Sequence, residues 1–109
     1  MKNKRFLLVA VLVVIVAAVQ AKVRLPHIIC DNMVLQQLTD ARLWGWAKEN
    51  AEVKVTTSWD GQTVKTKAGS DGRWLVRVQT PAASYAPYTI TFDDGEGSVE
   101  VKNVLAGEV

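Results

Sequence analysis

Residues 52–68, with the sequence EVKVTTSWDGQTVKTKA, form the stretch that decides the fold. From Val53 to Trp59, residues suited to a buried face alternate with polar residues, and a second alternating run covers residues 63–68. Alternation with a period of two is typical of β-strands that have one buried and one solvated face. Asp60-Gly61 lies between the runs. It predicts a β-hairpin whose two turn residues both have positive φ.

The same pattern recurs along the rest of the chain. Alternating runs surround Trp74, extend over residues 88–92 and continue from Val99 to Leu105, with turn sequences at residues 71–72 and 94–97. Seven or eight short strands at this spacing predict an all-β fold, an antiparallel β-sandwich. The pattern leaves open whether the sandwich is of the immunoglobulin-like or the jelly-roll type.

The amino-terminal segment has the features of a signal peptide. Lys2, Lys4 and Arg5 precede an unbroken apolar run from Phe6 to Val19, and Val19-Gln20-Ala21 fits a signal-peptidase cleavage site. The apolar run is shorter than the ~20 residues that a membrane-spanning helix needs. Cleavage is therefore favoured over an uncleaved signal anchor.

The predicted division is a signal peptide at residues 1–21 and a β-sandwich domain at residues 22–109, exported to the periplasm or outside the cell. No stable membrane anchor is expected. Of the 13 Lys and Arg, three lie in the signal peptide, which contains none of the 11 Asp and Glu. The mature domain thus has 10 basic and 11 acidic residues, a net charge of −1. Because these charges are interspersed, the sequence indicates no binding of nucleic acid.

Cys30 is the only cysteine, which excludes an intrachain disulfide. It follows Ile28 and Ile29 in an apolar run, and this predicts a buried thiol that packs as a small hydrophobic residue. The alternative is a disulfide with another molecule in an oxidising compartment.

No catalytic, cofactor-binding or metal-binding residue is predicted in this chain. His27 is the only histidine, and no Gly-x-Ser-x-Gly motif surrounds any of the serines. A serine hydrolase needs a hydroxyl in contact with an imidazole that a third group orients. The acidic turn residues match no calcium-loop spacing. The adjacent Asp93 and Asp94 leave no cleft between them for glycoside hydrolysis.

The four tryptophans are the candidates for packing or recognition. Trp59 and Trp74 fall on the apolar phase of their strands and are predicted core residues. Trp44 and Trp46 share one face, opposite Leu43, that the pattern does not assign to core or surface. The pair is either a contact surface for a neighbouring domain or an aromatic platform for sugar rings. Contact with a domain is favoured.

Five separated motifs stand in order along the mature chain. They are Asp31-Asn32-Met33-Val34-Leu35-Gln36-Gln37, Leu43-Trp44-Gly45-Trp46-Ala47, Asp71-Gly72-Arg73-Trp74, Pro87-Tyr88-Thr89-Ile90-Thr91 and Asn103-Val104-Leu105-Ala106-Gly107-Glu108-Val109. Together they resemble the opening of the sialate O-acetylesterase family of secreted carbohydrate esterases. In that family a small β-sandwich precedes an SGNH-type hydrolase domain. A Trp-Leu-Cys-Ser-Gly-Gln-Ser-Asn-Met block, which carries the catalytic serine, follows the last motif.

The resemblance implies that this chain is the amino-terminal accessory part of a carboxylic-ester hydrolase, truncated before its catalytic half. The missing hydrolase domain would be its intramolecular partner. That domain would bind the acetylated glycan, a sialic acid or a related sugar. The 109-residue chain itself is expected to be inactive. Two alternatives remain, a stand-alone carbohydrate-binding sandwich and an immunoglobulin-like structural module.

We predict that the exported protein begins at Lys22, because signal peptidase reads the small side chain of Ala21 at the end of the apolar run. Amino-terminal sequencing of the secreted product measures this directly. A secreted product that still begins at Met1 would show that the segment is not a cleaved signal peptide.

Overall fold

A computed structural model of the protein describes residues 23–109, and the predicted signal peptide at residues 1–21 lies outside that range. Within it the chain forms seven β-strands, which are β1 (Val34–Gln36), β2 (Asp40–Trp46), β3 (Glu52–Thr57), β4 (Thr63–Lys67), β5 (Arg73–Gln79), β6 (Ser84–Asp93) and β7 (Ser98–Gly107). In this described part, no helix has the length and apolar character needed to cross a membrane.

The strands form two sheets that pack face to face, which confirms the predicted β-sandwich. The large sheet has the order β1-β7-β6-β3-β4, and the small sheet consists of β2 and β5. All neighbouring strands are antiparallel except β1 and β7, which pair in parallel through Val34–Gln36 and Leu105–Gly107. The sandwich is therefore antiparallel with one parallel edge. Backbone hydrogen bonds between Arg24 and Trp46 add a short third segment to the small sheet.

The predicted hairpin joins β3 to β4, but its turn is longer than expected. Five residues, 58–62, connect the strands, and Gly61 has positive φ whereas Asp60 does not. The Asp60 carboxylate accepts hydrogen bonds from the Thr57 hydroxyl at 2.8 Å and from the Gln62 amide at 2.9 Å. Asp60 thus stabilises a wider loop by local side-chain hydrogen bonds, a common role of Asp in turns.

The core lies between the two sheets. Its most buried large side chains come from both layers and include Phe92, Leu43, Ile90, Val53, Val55 and Val104. Trp74 of the small sheet, 3% exposed, faces Phe92 of the large sheet with 5.6 Å between the ring centroids. Fully burying a Val, Leu, Ile or Phe side chain stabilises a fold by ~1.5–3 kcal/mol. The predicted core position of Trp74 is confirmed.

Trp59 packs against the core as predicted, although it is only partly buried, whereas the predicted burial of Cys30 is wrong. Trp59 follows the end of β3 and is half-buried. Its indole packs edge-on against Tyr88 and donates a hydrogen bond to the Gln79 carbonyl at 2.9 Å. Cys30 is exposed. The chain turns repeatedly between Pro26 and Met33, so only Ile29 of the apolar run reaches the core.

The predicted strand from Val99 to Leu105 exists but contains a β-bulge. Tyr88 pairs with Val104 while Ile90 pairs with Val101, so β7 carries one extra residue at this point. Asn103 lies in the bulge with a φ of 56°. The extra residue shifts the phase of β7, so that Val101 and Val104 both face the core although they are three positions apart.

We expect Trp74→Ala to lower the free energy of unfolding by about 3–5 kcal/mol, because it removes a buried aromatic ring from the contact between the sheets. Lys65→Ala is the control, since Lys65 is exposed on β4 and its change should stay within about 0.5 kcal/mol. Chemical denaturation of both variants of the mature domain measures the difference. Equal midpoints would contradict the assigned strand phase.

Candidate functional site

Trp44 and Trp46 lie on the outer face of the small sheet. In β2 the buried residues Leu43 and Gly45 face the core, and the two tryptophans alternate with them and are half-buried. The face that the sequence left unassigned is therefore the surface of the sandwich. Half-burial means that the sandwich alone covers only part of each indole.

The outer face of β5 completes an apolar surface around the tryptophan pair. Trp44 lies opposite Leu75, and Trp46 lies opposite Arg73. Residues directly opposite each other in an antiparallel pair project from the same face. Leu75 is 50% exposed. The two strands thus present an aromatic and aliphatic strip with a guanidinium at one end.

A groove of about 500 Å³ runs along this strip. Its lining is formed by Trp44, Gly45, Trp46, Lys67, Arg73, Trp74 and Leu75. The lining combines three tryptophans and a leucine with the cationic side chains of Lys67 and Arg73. Arg73 also lies 3.7 Å from the Asp71 carboxylate, an exposed ion pair that solvent largely screens.

Trp46 forms the wall between this groove and a second one. The second groove is open, has a volume of about 690 Å³, and is lined by Arg24, Leu25, Pro26, His27 and Trp46. The Arg24 guanidinium carbon lies 5.6 Å from the centroid of the Trp46 ring, a distance typical of a cation–π contact. This contact and the two backbone hydrogen bonds to Arg24 hold the Trp46 indole at the edge of the sheet.

Gly45 lies between Trp44 and Trp46 in β2, at a position with no space for a side chain. A Cβ atom at this position would collide with the Arg24 carbonyl oxygen and would lie 2.9 Å from Cζ2 of Trp74. The absence of a side chain therefore lets the Trp74 indole approach the backbone of β2. Trp74 Nε1 is buried here without a hydrogen-bond partner in the described part of the chain. The outer tryptophans and the core tryptophan are thus separated by a single strand.

His27 and the serines are the residues that a serine hydrolase would use, and the prediction that none of them is catalytic stays a prediction. His27 is exposed in the second groove, whose lining contains no serine. Ser58 and Ser84 accept hydrogen bonds from the backbone amides of Thr89 and Ala86. Over the same range, no group of three or more His, Cys, Asp or Glu is placed to hold a metal ion.

A polar cluster that the sequence did not predict lies at the end of β7. The side-chain amides of Gln36 and Gln37 both donate hydrogen bonds to the exposed carboxylate of Glu108. These bonds, first from Gln37 and then from Gln36, lower the pKa of the Glu108 carboxyl below its ordinary value. The partners are more than 70 positions apart in the sequence, so local periodicity carries no signal of the contact.

Comparison with known proteins finds a similarity to a solved structure. The chain is similar to a crystal structure of a carbohydrate acetylesterase from Xanthomonas citri, with 34% sequence identity and a TM-score of 0.73. The match covers 79% of this chain and 19% of that protein, so the chain spans about a fifth of its length. No protein-family model matches the chain, and no curated protein does. The sandwich is therefore similar, in sequence and in fold, to one part of a carbohydrate acetylesterase.

Proposed function

We propose that residues 22–109 are the accessory β-sandwich domain of an exported carbohydrate esterase. The observation that carries this proposal is the 34% identity to a carbohydrate acetylesterase over 79% of this chain, with a TM-score of 0.73. Identity at this level supports more than a shared sandwich architecture, which many unrelated proteins have. Because the chain spans 19% of that enzyme, the remaining length is available for a hydrolase domain.

The reaction that we propose for the whole protein is hydrolysis of acetyl esters by a serine nucleophile. The serine would attack the acetyl carbonyl, release the sugar hydroxyl and form an acetyl-enzyme, which water would then hydrolyse. A histidine would act as the base, and N–H donors would stabilise the oxyanion. We assign all of these groups to the hydrolase domain. The sandwich would contribute support and orientation.

We further propose that the acetyl groups are carried by sialic acids or closely related sugars. Support comes from the five motifs that resemble the sialate O-acetylesterase family, of which Asp31–Gln37 and Asn103–Val109 are the longest. The similar enzyme from Xanthomonas citri is a carbohydrate acetylesterase, which agrees with an acetylated sugar as substrate. The choice among acetylated sugars rests on the motifs alone.

The outer face of the small sheet is the surface that we propose to pack against the hydrolase domain. Trp44, Trp46 and the half-exposed Leu75 form an apolar strip. Apolar patches of more than a few hundred Å² are uncommon on soluble monomers and mark contact surfaces. The similar enzyme continues far beyond the sandwich. This favours a second domain, rather than a free glycan, as the partner that covers the strip. Sugar stacking on the two indoles is the alternative that the experiment must exclude.

We expect the whole product of the reading frame, expressed past the Val109 codon, to hydrolyse p-nitrophenyl acetate and to release acetate from O-acetylated sialic acid. Purified residues 22–109 should match buffer in both assays, because they bring no nucleophile and base together. An O-acetylated neutral sugar is the control substrate for sialate preference. A stop codon directly after Val109, or a whole product without esterase activity, would contradict the proposed function.

We expect residues 22–109 to self-associate through the exposed strip, and Trp44→Ser to reduce this association because it removes apolar area from the strip. Tyr85→Ser is the matched control, since Tyr85 is an aromatic residue that is 99% exposed on β6. Light scattering at several concentrations measures the effect. A monomeric wild-type domain whose tryptophan fluorescence is quenched by an acetylated sialyl glycan would favour the carbohydrate-binding alternative.

A further inference from the structure

The segment Asp31–Gln37, called the brace below, runs along β7 and contacts it at several points. At its start it holds the β-bulge of β7. The Asp31 carboxylate accepts a hydrogen bond from the Lys102 amide at 2.8 Å, and the Asn32 amide donates to the Lys102 carbonyl at 3.0 Å. The Asn103 side-chain amide donates to the Asn32 side-chain oxygen at 2.6 Å. These bonds fix the residue at which β7 changes phase.

The middle of the brace is held by backbone hydrogen bonds. The Met33 carbonyl accepts from the Leu105 amide at 3.1 Å, and the parallel pairing of β1 with β7 continues from there to Gly107. The Gln37 amide then donates to the Gly107 carbonyl at 2.8 Å. This backbone ladder already attaches the end of β7 to the sandwich.

At the end of the brace, side chains contact Glu108 and Val109, the two residues that follow the last backbone pairing at Gly107. Gln36 and Gln37 bind the Glu108 carboxylate, and the Gln36 side-chain oxygen also accepts from the Val109 amide at 2.9 Å. The Gln37 side-chain oxygen accepts from the Ala83 amide at 2.8 Å, which ties the same cluster to the start of β6. Glu108 and Val109 are thus held by side chains from a distant part of the sequence.

We expect these contacts to affect the direction of the chain after β7 more than the free energy of folding. Glu108 and Val109 are exposed, and water competes for exposed hydrogen bonds, so their net contribution to folding is small. Two glutamine side chains must nevertheless be ordered to bind one carboxylate, at a cost in conformational entropy. Three of the resulting bonds converge on two consecutive residues, two on the Glu108 carboxylate and one on the Val109 amide.

We propose that Gln36, Gln37 and Glu108 are positioning residues, which hold the chain in one direction where it leaves the sandwich and so orient the hydrolase domain. The proposal rests on the proposed function, because it requires a hydrolase domain after Val109. Reacting groups must be placed within a fraction of an ångström, and a misplacement of about 1 Å can reduce a rate by ~100-fold. A fixed exit direction therefore affects turnover without any contact with the substrate.

The first test measures order at the exit of the 109-residue protein itself. In the wild type we expect the ¹⁵N order parameter of the Glu108 amide to approach the ~0.85 of rigid backbone. In the double variant Gln36→Ala, Gln37→Ala it should fall below ~0.6, the range of flexible segments. Gln62→Ala is the control, because Gln62 is an exposed glutamine in the β3–β4 turn. An unchanged value in the double variant would overturn the proposal.

The second test uses the whole product of the reading frame. The double variant should lower kcat by about tenfold to a hundredfold with KM unchanged, because positioning acts on turnover and leaves substrate binding intact. The midpoint of thermal unfolding should not move, and Gln62→Ala should behave as wild type. Glu108→Ala should resemble the double variant. Glu108→Gln retains one acceptor oxygen for Gln37 and should recover most of the activity.

The two tests separate the proposal from the proposed function. A whole product without esterase activity, combined with loss of order in the double variant, would refute the proposed function while the brace still fixes the exit of the sandwich. An active product whose kcat is unaffected by the double variant would overturn the positioning role. A loss of activity accompanied by a lower unfolding midpoint would overturn it as well, since the residues would then act through stability.

Discussion

The contact between Trp74 and Phe92 across the two sheets is the interaction on which the rest of the structure depends. The small sheet has two full strands, and a two-stranded ribbon is at best marginally stable in water. Its stability must therefore come from packing on the large sheet. Cys30 is the only cysteine, so no disulfide within the chain can replace this packing. Gly45 is part of the same constraint, because only a glycine lets the Trp74 indole lie against β2.

The same arrangement explains why the candidate site is where it is. A sheet of two strands that uses one face for the core has its other face open, and β2 places Trp44 and Trp46 there. The half-buried indoles and Leu75 line a groove on that face together with the cationic side chains of Lys67 and Arg73. This is the surface that we propose to contact a second domain. Its outer position follows from the two-layer architecture, in which each sheet has one face on the core and one face toward solvent.

The period-two pattern predicted the core faces of β3 and β5 because local sequence determines which side of a strand is apolar. Val53, Val55, Trp74 and Val76 are all buried. The errors have one local and one non-local cause. Cys30 lies in a turn set by its neighbours, and the bulge at Asn103 depends on Asp31 and Asn32 some 70 residues away. Trp44 and Trp46 were recognised as a pair, but only the sheet assignment placed them on the surface.

The parallel pairing of β1 with β7 has a consequence for the order in which the domain is assembled. Val34–Gln36 cannot pair until Leu105–Gly107 is available, so the two ends of the domain join last. Closing so long a loop is entropically costly and slows folding. Until then the outer edge of β7 lacks its partner and can pair with another chain. Whether the polypeptide emerges from a ribosome or from a translocation channel, this edge of the sheet closes only after residues 105–107 have emerged.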